Sequence, residues 1–140
     1  MHVYSKIVGD LFHGGHVAFL AAARALGDRL TVCVVPDERV AAGKGRRPVM
    51  STAERVAVVA ACRHVDAVIT DGPKVISRAF MQQHGYDLYA FGARDDAELH
   101  IKLADCPDLP ETMRQRLPYS PGISSTELIE RIRQRLAEEA

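Results

Sequence analysis

The chain has 140 residues, 47% of them apolar, and its 18 acidic and 18 basic side chains cancel to a formal net charge of zero. That length suits one domain, residues 1–140, with a single core. Zero net charge excludes the overall field that nucleic acid or a membrane surface would answer to, so any anion site must come from a local cluster. No stretch approaches the roughly 20 apolar residues of a membrane span, and the opening MHVYSK lacks a basic region followed by an apolar run. Three cysteines, Cys33, Cys62 and Cys106, cannot all pair, and two of them fall in apolar runs as small buried hydrophobes would. A reducing, cytoplasmic setting is expected.

Residues 2–8 (HVYSKIV) have the β-branched and aromatic content of a short strand, and residues 17–26 (VAFLAAARAL) the alanine and leucine content of a helix. Gly27 is placed to end that helix in a left-handed cap. Residues 30–35 (LTVCVV) form the near-continuous apolar run of a strand buried on both faces, which favours parallel pairing through a right-handed crossover. Residues 36–48 (PDERVAAGKGRRP) show no apolar period and read as a mobile basic loop. Ser51 and Glu54 make a capping box that opens a helix reaching Cys62; Arg55 and Arg63 lie near its two ends, and the spacing does not show which of them faces a site. Residues 66–69 give a third strand. Gly72-Pro73 breaks the chain, residues 75–84 read as a helix, and residues 87–91 as a strand ending at Gly92. A helix over 97–104 follows, and three prolines then restrict residues 105–118 to a loop with a short strand around 115–117. Ser124 and Glu127 form a second capping box before an amphipathic helix running towards Glu138, with Leu128, Ile132 and Leu136 on one face. The alternation predicts an α/β fold, a doubly wound parallel sheet of the Rossmann-like kind with helices on both faces.

In such a sheet ligands sit beyond the carboxyl ends of the strands, which is where residues 10–16 (DLFHGGH) and 92–96 fall. His13 and His16 stand where the first strand runs into the first helix. Gly14 and Gly15 leave room for a ligand, the helix amides can seat phosphate, and either imidazole can donate to phosphoryl oxygens. Asp10 supplies a carboxylate that can hold a divalent metal against the same phosphates. Lys44, Arg46 and Arg47 are cations available to a triphosphate and to the phosphate of a second substrate. Ser124, Ser125 and Thr126 place three hydroxyls at a helix N-terminus, a further phosphate seat. A zinc site on the histidines is disfavoured, because no cysteine or third histidine is spaced to complete it.

His13-Gly14-Gly15-His16 after a strand and before a helix resembles the His-x-Gly-His signature of the nucleotidyltransferase superfamily. With DLFHGGHVAFL, LGDRL, PDE, the Lys44 loop, Glu54-Arg55, CRHVDAVI and GISST, nearly the whole chain resembles its small cytidylyltransferase branch, similar to glycerol-3-phosphate and ethanolamine-phosphate cytidylyltransferases. The resemblance implies that His13, His16 and Lys44 are catalytic. It implies that Gly15, Gly122, Ser124, Ser125 and Thr126 bind the nucleotide; Val8, Gly9, Gly92 and Arg94 are expected beside them from their places after the first and fourth strands, Arg94 as the cation that Tyr119 cannot supply. Asp10, Lys44, Arg46 and Arg63 would bind substrate phosphates, Asp10 would help hold magnesium, and the chain would be a homodimer. The implied reaction moves CMP from CTP to a small phosphorylated or phosphonate-bearing alcohol and releases pyrophosphate. Three regions depart from the family pattern: Ile7-Val8-Gly9 before the aspartate, Gly92-Ala93-Arg94-Asp95 after the fourth strand, and Tyr119-Ser120-Pro121 before the last motif. Ile-Ser-Ser-Thr also resembles the adenylyltransferases of the superfamily, which use ATP. A module that has kept the fold and lost turnover is the reading of another class.

Overall fold

The structure is a computed structural model, and it describes residues 1–119 and 123–140. Five strands, β1 (His2–Ile7), β2 (Arg29–Val34), β3 (Ala67–Ile69), β4 (Leu88–Gly92) and β5 (Arg114–Leu117), form one all-parallel sheet in the order β3-β2-β1-β4-β5. Six helices cover it: α1 (Gly14–Ala25), α2 (Asp37–Lys44), α3 (Thr52–Ala61), α4 (Arg78–His84), α5 (Asp96–Ala104) and α6 (Ser125–Glu139). The predicted doubly wound α/β architecture is the one observed.

Side-chain alternation along the strands sorts the core into two halves. Val3, Leu30, Val32, Val34 and Ala90 face one way and pack with Leu20 and Ala23 of α1 and Val59 of α3. Tyr4, Cys33, Tyr89 and Phe91 face the other way, against Met81 of α4 and Leu99 and Leu103 of α5. The connections that run outward from β1 and those that run outward from β4 thus cover opposite faces. The strand order reverses between β1 and β4, and the crevice beyond their carboxyl ends is the ligand position of such sheets.

Local structure departs from the sequence expectations at four places. Residues 36–48 contain helix α2: Asp37 and Glu38 sit in its first turn, Lys44 in its last, and Gly45 ends it with φ of 73°. Val40 is its one buried residue, so no apolar stripe advertises it. Helix α4 begins at Arg78 instead of residue 75, because Ser77 caps it through the Phe80 amide and the Ile76 amide is committed to the Asp105 carbonyl at 2.7 Å. Gly27 is not a left-handed cap; α1 ends on Leu26 in right-handed geometry, and Gly27 is required because a Cβ there would collide with the Met1 carbonyl oxygen. At α6, Ser124 accepts the Glu127 amide at 3.1 Å, but the described residues show no reciprocal bond from the Glu127 side chain.

Arg55 holds the carboxyl end of the sheet together. Its guanidinium is fully buried and donates to the carbonyls of Val8 (2.8 Å), Val35 (2.6 Å) and Met50 (3.1 Å), and to Asp37 at 2.6 Å. One cation therefore satisfies the backbone after β1 and β2 and before α3, and its hydrogen bond keeps the Asp37 carboxyl below its usual range. This answers the question the sequence left open: Arg55 is a scaffold element.

Candidate active site

Beyond β1 the chain turns sharply, with Gly9 at φ of 72° and Leu11, a non-glycine residue in the left-handed region, at φ of 49°. Strain of this kind persists only where surrounding bonds impose it. Here Asp10, between them, accepts the Val49 and Met50 amides on its two carboxylate oxygens, both at 2.9 Å. The turn delivers His13 to the N-cap of α1.

The two histidines replace the usual serine and glutamate of a capping box. His13 Nδ1 accepts the Gly15 amide at 3.0 Å, and His16 Nδ1 accepts the His13 amide at 3.1 Å. A neutral imidazole whose Nδ1 accepts must carry its proton on Nε2. The helix start thus fixes both tautomers, and each ring keeps one donor for a ligand. Both rings are held neutral at physiological pH. Burial pushes His16 down to about 4, with the charges of His13 and Lys44 adding to the effect and Asp10 opposing it, and burial also lowers His13. The ring centroids are 4.0 Å apart. Gly15 is needed for this arrangement, since a Cβ there would stand 2.8 Å from His13 Cε1 and 3.4 Å from Ile123 Cγ2.

The tail of the chain closes on the same point. Ser125 Oγ donates to the Asp10 carbonyl at 2.7 Å, joining residues 115 apart in sequence. Arg46 reaches Thr126 Oγ1 at 3.4 Å. The N-terminal ends of α1 and α6, with their positive dipole ends, therefore share one wall. They open on a cleft of about 900 Å³, within the range of small-molecule and cofactor sites.

Of the residues expected at the site, Val8, Gly9, Asp10, His13, Gly15, His16, Lys44, Arg46, Gly92, Arg94, Ser124, Ser125 and Thr126 all line this cleft. Gly122 lies outside the described residues. Arg63 is not brought to it: it is exposed, it does not line the cleft, and it precedes the amino end of β3 whereas the cleft lies beyond the carboxyl ends. Arg94 lines the cleft but is spanned by carboxylates, with Glu98 at 3.0 Å and Asp95 at 3.9 Å. The cleft also contains Lys6, Glu98 and Lys102, which sequence reasoning passed over. Lys6 could have been noticed as the one charge inside an apolar strand; Glu98 and Lys102, four apart on a helix, look like an ordinary surface pair.

A doubly wound sheet whose switch-point cleft is walled by two helix N-termini, two neutral imidazoles and a group of lysines and arginines defines a phosphate-handling nucleotide enzyme. The family model for cytidylyltransferase-like domains matches residues 10–131, and the chain belongs to that family of nucleotidyltransferases. It is 35% identical over 136 residues to an FAD synthase of Pyrococcus horikoshii, covering 89% of this chain and 87% of the relative. It is 38% identical over 134 residues to an ethanolamine-phosphate cytidylyltransferase of Arabidopsis thaliana, covering 93% of this chain and 32% of the relative. The chain therefore spans about a third of that longer protein. A solved structure, the lipopolysaccharide core biosynthesis protein of Thermoplasma volcanium, superposes with a TM-score of 0.62 at 25% identity, covering 88% of this chain and 98% of that one. Among the described residues no helix is long and apolar enough to cross a membrane.

Proposed function

We propose that the chain transfers a cytidylyl group from CTP to a small phosphorylated or phosphonate-bearing alcohol. The observation that carries the proposal is the convergence of the His13 and His16 Nε2 donors with the hydroxyls of Ser124, Ser125 and Thr126 on one cleft, tied by the Ser125–Asp10 bond. In this reading the outer phosphates lie at the α6 N-terminus and the α-phosphate at the two imidazoles. An oxygen of the acceptor's phosphate or phosphonate forms a bond to the α-phosphorus, the bond to the α,β-bridging oxygen breaks, and pyrophosphate leaves with that electron pair. The attacking oxygen is already anionic at neutral pH, so no base is needed and catalysis is positioning and charge stabilisation.

Magnesium belongs to this reading as the partner of the triphosphate. Asp10 is the residue that would help hold it: the carboxylate lines the cleft, and each oxygen accepts one amide and retains a further lone pair. Among the described residues no group of three or more histidines, cysteines and carboxylates is assembled for a metal. That suits an ion that binds through one or two carboxylates plus substrate phosphates and water. When bound, it would neutralise charge on the phosphates.

A second reading, adenylyl transfer from ATP, is favoured by the 35% identity to an FAD synthase, whose product contains an adenylyl group. Pyrophosphate release with CTP and with ATP, each against a panel of phosphorylated and phosphonate alcohols, separates the two; release with ATP alone overturns the cytidylyl assignment. We also propose a cytoplasmic homodimer, on the family resemblance, which sedimentation of the purified chain tests for its oligomeric part.

A further inference from the structure

Apart from Arg47, next to Arg46 in the chain, and Arg94, which Glu98 occupies, the cations of the cleft fall into two groups. One lies at α6, where Arg46 meets Thr126 at 3.4 Å. The other lies between β1 and α5, where Lys6 and Lys102 line the same cleft and make no hydrogen bond or ion pair with α6 among the described residues. Lys44 is the link, since its charge is felt by both His16 and Lys102.

The two lysines differ in what they lack. Lys6 donates to the Lys74 carbonyl at 2.8 Å and to Asp105 at 3.1 Å, with a side chain only 10% exposed, so it is a fixed cation with one proton to spare. Lys102 is half-buried and, among the described residues, its ammonium has no hydrogen bond and no carboxylate within 4.0 Å. Its helical neighbour Glu98 is taken by Arg94 at 3.0 Å. Burial first, and then the charge of Lys6, hold the Lys102 ammonium below the usual lysine range. An unpaired ammonium on a partly desolvated wall, beside a second that Asp105 already holds, is an arrangement that a bound phosphate or phosphonate relieves.

On the nucleotidyl-transfer reading above, we infer that Lys102, backed by Lys6, seats the acceptor's phosphate or phosphonate. In-line displacement brings the attacking oxygen from the side away from the leaving pyrophosphate. With the outer phosphates at α6, the cation group not engaged with α6 is left for the acceptor. The substrate class follows: a small phosphate monoester or phosphonate, not a neutral alcohol or a carboxylate.

The test uses the full chain and its Lys102→Met and Lys102→Arg variants. With CTP and the best acceptor of the panel, Lys102→Met raises the acceptor KM roughly 10- to 100-fold and leaves the CTP KM within about twofold, and Lys102→Arg recovers part of the loss. An unchanged acceptor KM, or an equal rise in the CTP KM, overturns the assignment. A second arm needs no turnover: with saturating α,β-methylene CTP, methylphosphonate and inorganic phosphate raise the melting temperature of the wild-type chain and not of Lys102→Met, while acetate raises neither. Equal shifts in both chains, or a shift with acetate, overturn it. If neither α,β-methylene CTP nor its ATP counterpart shifts the wild-type melting temperature, the nucleotidyl-transfer reading itself falls and takes the acceptor seat with it.

Discussion

Each active-site histidine has two jobs on opposite ring nitrogens, and they can be separated. Nδ1 of His13 caps α1, and Nε2 is left to the substrate. Asparagine at an N-cap is among the best replacements, and glutamine at the third helical position restores an ordinary capping box. His13→Asn and His16→Gln should therefore keep stability within about 0.3 kcal/mol, a melting shift of about 1 °C for a chain of this size. His13→Ala loses the cap and should cost about 1 kcal/mol. Removing one preorganised donor to a developing charge costs about 100- to 1,000-fold in kcat, or about 2.7–4 kcal/mol. His13→Asn and His13→Ala should thus lose activity alike while differing in melting temperature. Circular dichroism melts and a pyrophosphate-release assay on the same preparations provide both readings. If His13→Asn retained kcat within about threefold, the imidazole would be a cap and nothing more.

The remaining predictions concern the scaffold, the pH response and the disputed cations. Arg55→Met leaves the Val8, Val35 and Met50 carbonyls without their donor and Asp37 without its partner; a loss of about 3–5 kcal/mol is expected in urea unfolding. His16 has its folded pKa pushed below the ordinary 6.5 to about 4, so the unfolded chain binds the extra proton first and stability falls as pH drops from 6.5 through 4. The His16→Gln variant should show a shallower loss over that window, and identical profiles would contradict the burial argument. Ser125→Ala removes the 2.7 Å bond to the Asp10 carbonyl and should lower stability by about 0.5–1.5 kcal/mol while raising the nucleotide KM. Arg63→Ala should leave kcat and both KM values unchanged, since Arg63 does not line the cleft; a rise in either KM would return it to the site.

The fold was largely legible because strand and helix periods alternate cleanly and each helix but one has an apolar stripe or a cap that marks it. Helix α2 escaped because its stability comes from Asp37 held by Arg55 and from Gly45 at its end, with Val40 alone buried. The site histidines were legible as a spacing, but their protonation was not: it depends on backbone amides that point at Nδ1 only once α1 has formed. Arg55 looked like one of two equivalent arginines until the segments after β1 and β2 turned their Val8 and Val35 carbonyls towards it, beside that of nearby Met50. Arg63 was expected at the site from family resemblance, and within this chain it stands before the amino end of β3, away from the cleft. Lys102 gave no signal, since Glu98 four residues earlier suggests a pair that Arg94 in fact pre-empts.

The most direct test of the account is pyrophosphate release by the purified chain with magnesium, CTP and a panel of phosphate monoesters and phosphonates, run beside the His13→Asn variant. Release is expected to require both CTP and an acceptor and to fall about 100-fold or more in the variant. Wild-type release unaffected by the substitution, or none with CTP, would contradict it.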